Sequence, residues 1–421
     1  MYKKDTFDNR LRFITIPMKN TSAVTVLIFV GAGSRYENRR TSGLSHFLEH
    51  MFFKGGKKYP DTKAVSEVID SVGGDFNAFT SKEFVGYYVK VASKHIDLAM
   101  DVLSDMLIEA KFEANEVEKE GGVIIEELNM YQDMPVYLVG NDYERLIFGD
   151  QPLGWDVIGR VESIKGLKRE DFLQYKKDLY TPDNIVLTIA GDFKYDELKK
   201  KVERYFKFKD GKKSYSFEKF DKEKIGGRVF LRKKDTEQVH LILGVESYPL
   251  DHPDYETLQA IGIILGGNMS SRLFLSLRED KGLAYYVKTG NTEYLDTGNM
   301  STSAGVDINR IDLSIKLIMD EYERIKNEGV DEKELVKAKE YYKGKMILRL
   351  EDSKDVAQLI GIHELLLNRI ETPEEAMEKM DRVTTKDIKR VCEDIFKKEN
   401  LKLALIGPYD DRERFEKLLQ S

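Results

Sequence analysis

The sequence of 421 residues contains a single cysteine, Cys392. One thiol cannot form a disulfide within the chain, and it excludes a zinc site built from several cysteines. This usage suits a protein of a reducing compartment. We expect Cys392 to be buried and chemically inert, as free cysteines usually are.

Long apolar runs are also missing. The most apolar segment, AVTVLIFVGAG, is much shorter than the roughly 20 residues that a membrane-spanning helix needs. The N-terminal segment MYKKDTFDNRLRF has no apolar signal core. We therefore expect no membrane-spanning segment, no secretion signal and a cytoplasmic location.

Positive charge is not in excess, because 67 Lys and Arg residues stand against 74 Asp and Glu, giving a net charge of −7. A nucleic-acid-binding protein needs a basic face, so we expect no nucleic-acid partner. Apolar residues make up 41% of the chain, which is enough to form buried cores. The length favours two or more domains.

Segments of the first half recur in the second half at a nearly constant spacing. NIVLTIAG at 184–191 matches NLKLALIG at 400–407, an offset of 216 (400 − 184). KHIDLAMDVLSDML at 94–107 matches NRIDLSIKLIMDEY at 309–322, an offset of 215 (309 − 94). Self-similarity on this scale predicts duplicated domains.

Each half mixes alternating apolar strands with helices of 3.6-residue period. The predicted fold class is therefore α+β, with two homologous domains that each pack a mainly antiparallel sheet with helices. A charged, aperiodic segment separates the halves and has the composition of a linker. It predicts a first domain at 1–210, a linker at 211–226 and a second domain at 227–421.

The segment LSHFLEHMFFKG carries His46, Glu49 and His50. On a helix His46 and His50 lie one turn apart on one face, Glu49 projects from that face, and Ser42 or Ser45 can cap the start. Two imidazoles at this spacing can share a Zn²⁺, and Glu49 beside it can take a proton from water. This spacing is a known zinc-peptidase signature. The alternative is a core cluster satisfied by hydrogen bonds.

Catalytic zinc needs a third protein ligand and one open position. The glutamate-rich segment EANEVEKEGGVIIEELNMYQD is the best source. On a helical wheel Glu127 lies within the apolar arc, whereas Glu126 lies at its edge, and Glu120 shares the face of Glu127. We predict Glu127 as the third ligand and Glu120 as the group that orients a histidine. The alternative for Glu127 is a solvated surface glutamate.

The second half has no His-x-x-Glu-His segment, so only the first half is predicted to carry the metal chemistry. Segments from both halves of the chain resemble the pitrilysin/insulinase family of zinc peptidases, in the branch of the mitochondrial processing peptidase β-subunit and its short bacterial relatives. GLSHFLEHMFFKG is similar to the family's zinc helix, GGDFNAFTSKEFVGYY to its substrate-edge strand and EKEGGVIIEELNMY to the segment of the third ligand. SLREDKGLAYYV resembles its Arg/Tyr element. The similarity covers nearly the whole chain.

The resemblance implies that the two domains form half of a peptidase clamshell around a closed chamber. It therefore implies a dimer, either of identical chains or with a related chain. The match places Arg278 and Tyr285 facing the zinc as catalytic residues, with Tyr285, together with Arg278, as the candidate donor to the oxyanion of the reaction. The residues alone favour the alternative of a surface arginine and a packed tyrosine for Arg278 and Tyr285.

A peptide substrate is the expected partner. In extended form it could add to the edge strand at Asn77, Ala78 and Phe79. Glu83 is a further candidate, either as a substrate-binding acid or as an acid that supports another residue of the site. The predicted function is a zinc-dependent endopeptidase, with Zn²⁺ as cofactor, that cleaves peptides or unfolded, presequence-like segments. The alternative is a non-catalytic structural or assembly subunit, which would not need to retain the zinc ligands.

Overall fold

The computed structural model describes residues 2–420. The strands are Lys3–Thr6 (β1), Arg12–Pro17 (β2), Ala23–Val30 (β3), Asp75–Thr80 (β4), Val85–Ala92 (β5), Ile185–Gly191 (β6), Val229–Lys233 (β7), Val239–Ser247 (β8), Ala284–Glu293 (β9), Gly298–Val306 (β10) and Lys402–Gly407 (β11).

The α-helices are Leu44–Phe52 (α1), Thr62–Asp70 (α2), Ile96–Ile108 (α3), Ala114–Gln132 (α4), Pro135–Phe148 (α5), Val161–Gly166 (α6), Arg169–Leu179 (α7), Tyr195–Tyr205 (α8), Tyr255–Gly266 (α9), Ile311–Glu328 (α10), Glu332–Arg349 (α11), Ser353–Leu367 (α12), Pro373–Arg382 (α13), Thr385–Ile395 (α14) and Arg412–Leu418 (α15). A π-helix covers Phe274–Glu279. Within the described residues, no helix is both long and apolar enough to cross a membrane.

Two sheets share one topology. The first has the strand order β1-β2-β6-β3-β5-β4 and the second β7-β11-β8-β10-β9. One pair in each sheet is parallel, β2 with β6 and β7 with β11, and the other neighbours are antiparallel. Apart from β1, the second sheet repeats the first strand by strand. The prediction of two homologous α+β domains with mainly antiparallel sheets is confirmed.

The chain folds into two compact units that are not continuous in sequence. Unit 1 contains residues 2–129, 156–218 and 347–371, and unit 2 contains 130–155, 219–346 and 372–420. One passage of the chain from unit 1 to unit 2 follows residue 218, which lies within the predicted linker at 211–226. The units differ from the predicted domains in two segments. Residues 130–155 were predicted in the first domain but belong to unit 2, and residues 347–371 were predicted in the second domain but belong to unit 1.

The two exchanged segments carry equivalent helices, α12 and α5. In unit 1, Ala357 and Ile360 of α12 pack with Phe29 of β3 and Val186 of β6 in one apolar cluster. In unit 2, α5 packs against the corresponding strands β8 and β11. Strands β3 and β6 are buried along almost their whole length, because a helix covers one face and the rest of the unit packs against the other. This explains their predominantly apolar sequences.

Polar contacts fix α12 at both of its ends. The Lys90 ammonium lies 2.6 Å from the Asp352 carboxylate just before the helix begins. Near its C-terminal end, the fully buried carboxylate of Glu364 lies 2.7 Å from Lys4 Nζ and 3.3 Å from Arg12 Nη1. A buried carboxylate requires such partners, because an unpaired charge there would be strongly destabilising. The helix is thus an integral part of unit 1.

Candidate metal centre

Helix α1 carries the His-x-x-Glu-His segment and buries its apolar side. Its core-facing side chains are at most 2% exposed: Leu44, Phe47, Leu48, Met51 and Phe52. Their 3.6-residue spacing leaves His46, Glu49 and His50 on the remaining face, as predicted.

The predicted cap of α1 by Ser42 or Ser45 is wrong. Gly43 occupies the position before the helix, with φ +93°, and has no side chain to accept a hydrogen bond. Ser45 Oγ is hydrogen-bonded to Tyr175 Oη instead. A Cβ on Gly43 would lie 2.5 Å from the Ile158 carbonyl oxygen, so this close approach excludes a larger capping residue.

Helix α4 brings Glu127 to the two histidines of α1. Glu127 Oε2 lies 3.8 Å from His46 Nε2 and 3.6 Å from His50 Nε2. One ligand atom from each of these three residues lies within 4.8 Å of the others. The structure therefore brings together the three side chains predicted as ligands, whereas Glu126 is exposed on α4.

The three side chains fit a tetrahedral zinc ion. Zinc bonds of about 2.0–2.1 Å in a tetrahedron separate neighbouring ligand atoms by about 3.4 Å. The observed nitrogen–oxygen separations of 3.6 and 3.8 Å are close to that value and too long for direct hydrogen bonds. Burial, and to a smaller extent His50, lowers the pKa of His46 to about 4, which keeps its imidazole neutral and its lone pair available.

Glu120 lies two helical turns before Glu127 and holds one of the histidines. Its Oε1 is 2.9 Å from His50 Nδ1, and its other oxygen contacts the Lys54 ammonium. Burial raises the pKa of Glu120, but the hydrogen bonds to His50 and Lys54 outweigh this and leave the pKa lowered. A carboxylate on Nδ1 presents Nε2 of His50 towards Glu127, which is the geometry predicted for Glu120.

Glu49 lies on the same face of α1 and is held by the edge strand of the first sheet. Thr80 Oγ1, at the end of β4, donates a hydrogen bond to Glu49 Oε2. Burial raises the pKa of Glu49, while the bond from Thr80 lowers it in part. Sequence reasoning missed Thr80 as a partner, because only the fold shows that β4 ends at α1.

The predicted substrate strand, β4, is the outer strand of the first sheet. Asn77 is exposed, whereas Ala78 is buried. The Phe79 ring packs inward, with ring centroids 6.0 Å from Phe29 and 6.3 Å from Phe84. The strand thus presents its outer edge but not the Phe79 ring, and Asn77 Oδ1 accepts a hydrogen bond from the Ala78 N–H at 2.8 Å.

The surroundings of Glu83 contradict its predicted role as a substrate-binding acid. It is 2% exposed, and its Oε1 accepts a hydrogen bond from Arg35 Nη1 at 2.6 Å. The Arg35 guanidinium also stacks on the Phe217 ring, 3.9 Å from its centroid. A buried, ion-paired carboxylate cannot contact a substrate, so Glu83 fixes the turn between β4 and β5 instead.

Arg278 and Tyr285 come together within unit 2. Arg278 lies on the π-helix, and its Nη1 donates to the main-chain oxygen of Tyr285 at 2.6 Å. Tyr285, near the start of the outer strand β9, is 73% exposed. Its hydroxyl is therefore accessible to a ligand, while Arg278 holds its backbone.

Family models match most of the chain. A model described as insulinase (peptidase family M16) matches residues 12–159, and one described as the peptidase M16 inactive domain matches residues 166–342. A Bacillus subtilis (strain 168) protein named uncharacterized zinc protease YmxG is 36% identical over 411 residues, which cover 97% of this chain and 98% of that protein. One from Mycobacterium leprae, also named an uncharacterized zinc protease, is 31% identical and covers 99% and 94%.

Solved structures share the fold. A protease from Helicobacter pylori superposes with a TM-score of 0.92 at 24% identity, covering 97% of this chain and 99% of that one. A Pseudomonas fluorescens structure described as a peptidase M16 inactive domain gives a TM-score of 0.90 at 17% identity, with 97% and 98% covered. Together with the family models and the full-length relatives, this similarity shows that the chain belongs to peptidase family M16, the insulinase family.

Proposed function

We propose that this chain is a zinc-dependent endopeptidase whose metal ligands are His46, His50 and Glu127. The observation that carries the proposal is the convergence of the three ligand atoms within 4.8 Å, with the Glu49 carboxylate on the same helix face. The names of the full-length relatives, zinc proteases, support the choice of metal and of reaction. A non-catalytic subunit would require neither the ligand set nor Glu49.

When bound, zinc lowers the pKa of a water molecule to about 7 and polarises a peptide carbonyl. Glu49 accepts the proton of the attacking water and returns it to the leaving amine nitrogen. Thr80 keeps the Glu49 carboxylate in place through its hydrogen bond. Glu120 holds His50 in the tautomer that presents Nε2.

The substrate in this proposal is an extended peptide that pairs with the outer edge of β4 near Asn77. Backbone hydrogen bonds to an outer strand give affinity without requiring a particular sequence. The Tyr285 hydroxyl is the proposed donor to the developing oxyanion, and Arg278 supports it through the Tyr285 main-chain oxygen. The resemblance further favours pairing of two such chains, identical or related, around a closed chamber.

The proposal is tested with a mixed peptide library and mass spectrometry of the products. The zinc-loaded chain is expected to cleave internal peptide bonds, and removal of the metal with a chelator should abolish cleavage. Restored cleavage on adding zinc excludes damage by the chelator. Equal cleavage with and without the chelator would contradict a zinc mechanism.

Glu127→Gln is expected to weaken zinc binding by at least about 10-fold, because a neutral amide is a much poorer ligand than a carboxylate. The matched control is Glu126→Gln, which changes the neighbouring, exposed glutamate of α4 and should leave affinity unchanged. Both are measured by competition with a chelator. The reverse pattern would make Glu126 the ligand.

Tyr285→Phe is expected to lower kcat by roughly 10- to 1000-fold, as for other single oxyanion donors. KM should change little, because the ground-state carbonyl gains less from this bond. The contact with Arg278 uses the main-chain oxygen and survives the substitution. Tyr286→Phe is the matched control, since the Tyr286 hydroxyl bonds to His240. An unchanged kcat in Tyr285→Phe would exclude the hydroxyl as donor.

A further inference from the structure

A buried carboxylate precedes the zinc helix and binds its first turn. Glu37 is 5% exposed. Its Oε2 accepts the main-chain N–H of Gly43 at 2.7 Å, and its Oε1 accepts that of Ser45 at 2.6 Å. Both carboxylate oxygens are therefore used by the beginning of α1, although Glu37 is neither a predicted ligand nor part of the proposed reaction.

These N–H groups need an acceptor from outside the helix. The first N–H groups of any α-helix have no partner within it, and a side chain at the preceding position usually accepts from one. Gly43 occupies that position and cannot do so. Glu37 takes over the role from six residues earlier and satisfies two groups at once. Burial raises the pKa of Glu37 to about 8, and the Ser45 and Gly43 N–H groups oppose this shift because they favour the charged form.

The same turn is fastened a second time through a side chain. Ser45 Oγ is hydrogen-bonded to Tyr175 Oη. The Tyr175 hydroxyl also contacts the main chain of Gly33, whose N–H and carbonyl oxygen are both 3.0 Å away. Ser45 is thus held at its backbone by Glu37 and at its hydroxyl by Tyr175. The next residue is His46.

The two histidines differ in how they are oriented. Glu120 holds His50 through Nδ1. The buried Nδ1 of His46 has no hydrogen-bond partner in the part of the chain that the structure describes. A metal-binding histidine is usually oriented by a group on its second nitrogen. His46 lies in the first turn and its ring packs on that of His50, 4.7 Å between centroids, so its position depends on the backbone of that turn.

We propose that Glu37 is a positioning residue for the metal centre. By fixing Gly43 and Ser45, its carboxylate sets the first turn of α1 and so the position of His46 relative to His50 and Glu127. The inference rests on the zinc site of the proposed function and adds to it the group that positions His46, the ligand whose Nδ1 has no hydrogen-bond partner among the described residues.

The test is the zinc affinity of Glu37→Gln, measured by chelator competition on folded protein. Glutamine keeps one acceptor oxygen but turns an NH₂ donor towards the second N–H. We expect the zinc dissociation constant to rise about 10-fold, the lower end of the range for groups that support metal ligands. An unchanged dissociation constant in the folded variant would overturn the inference.

Glu364→Gln is the matched control. Glu364 is another fully buried glutamate of unit 1, but it lies on α12 and pairs with Lys4 and Arg12. This variant should lower the melting temperature and leave the zinc affinity of the folded protein unchanged. If Glu37→Gln behaved in the same way, Glu37 would be merely structural and the inference would be wrong.

A measurement on the wild-type protein does not depend on any variant folding. Amide hydrogen exchange, resolved to single residues, should show Gly43 and Ser45 protected in the metal-free chain, because Glu37 accepts from both. Exchange of these amides at the rate of an unstructured chain would overturn the inference. If the wild-type chain bound no zinc, both the proposed function and this inference would fail. If the wild-type chain bound zinc and Glu37→Gln bound it equally well, only this inference would fail.

Discussion

Replacing Glu49 with glutamine is expected to reduce peptide turnover by roughly 100- to 10,000-fold, the usual contribution of a general base. The amide cannot accept a proton from water. Its oxygen can still accept the hydrogen bond from Thr80, so the side chain should keep its place. Zinc content should stay at that of the wild type, because Glu49 is outside the ligand group of His46, His50 and Glu127.

Two measurements on the same preparation separate base from ligand: kcat/KM on a fluorogenic peptide, and zinc per chain by atomic absorption. The control is Glu67→Gln, which alters an exposed glutamate of unit 1. Wild-type turnover by a zinc-loaded Glu49→Gln enzyme would refute the role of Glu49 as base. Loss of zinc in this variant would instead assign Glu49 to the ligand set.

The wild-type chain is expected to bind about one zinc ion, and His50→Ala should abolish this binding. The substitution removes a ligand and also leaves Glu120 without its imidazole partner. Two remaining ligands, His46 and Glu127, are fewer than the three that catalytic zinc sites use. The expected result is therefore loss of stoichiometric zinc and of peptidase activity together.

His95→Ala is the control for this experiment, since it removes a histidine of the same unit that lies outside the ligand group. Zinc stoichiometry is read by atomic absorption after dialysis against metal-free buffer. Circular dichroism should show that both variants remain folded. Full zinc occupancy in folded His50→Ala would remove the metal assignment altogether.

The candidate metal centre could be predicted from the sequence where helix geometry alone determines it. His46, Glu49 and His50 must share a face of any α-helix, because the 3.6-residue period fixes their directions. The preference for Glu127 over Glu126 followed from the same argument, and it agrees with the position of Glu127 beside both histidines. The duplication was visible as repeated segments and recurs in the two strand orders.

Groups that act through tertiary contacts could not be predicted in this way. The sequence favoured a serine cap for α1, but Gly43 and the distant Glu37 meet that need. In the sequence, Glu83 is an acid close to the predicted substrate strand. Only its pairing with Arg35 in the fold shows it to be structural. In both cases the partner lies elsewhere in the fold, and no local periodicity reports it.

The exchange of α5 and α12 was hidden for a different reason. An amphipathic helix shows which of its faces is buried, but not which sheet covers that face. Duplication makes the two sheets equivalent, so α5 and α12 satisfy the same pattern on either one. Proximity in sequence favoured packing of each helix on the nearer sheet, but in the structure each helix packs on the sheet of the other half of the sequence.

The exchange of these helices determines when each unit can finish folding on the ribosome. The strands of unit 1 are complete once Gly191 has been made, but α12 emerges only after four of the five strands of unit 2. Helix α5, in turn, is made before any strand of the sheet that it covers. The sheet of unit 1 therefore keeps an apolar face uncovered until α12 has been made, whereas α5 has no sheet to cover until the strands of unit 2 follow. A polypeptide released at the linker would carry an uncovered sheet and an unpaired helix, so neither unit can be completed from its own half of the sequence.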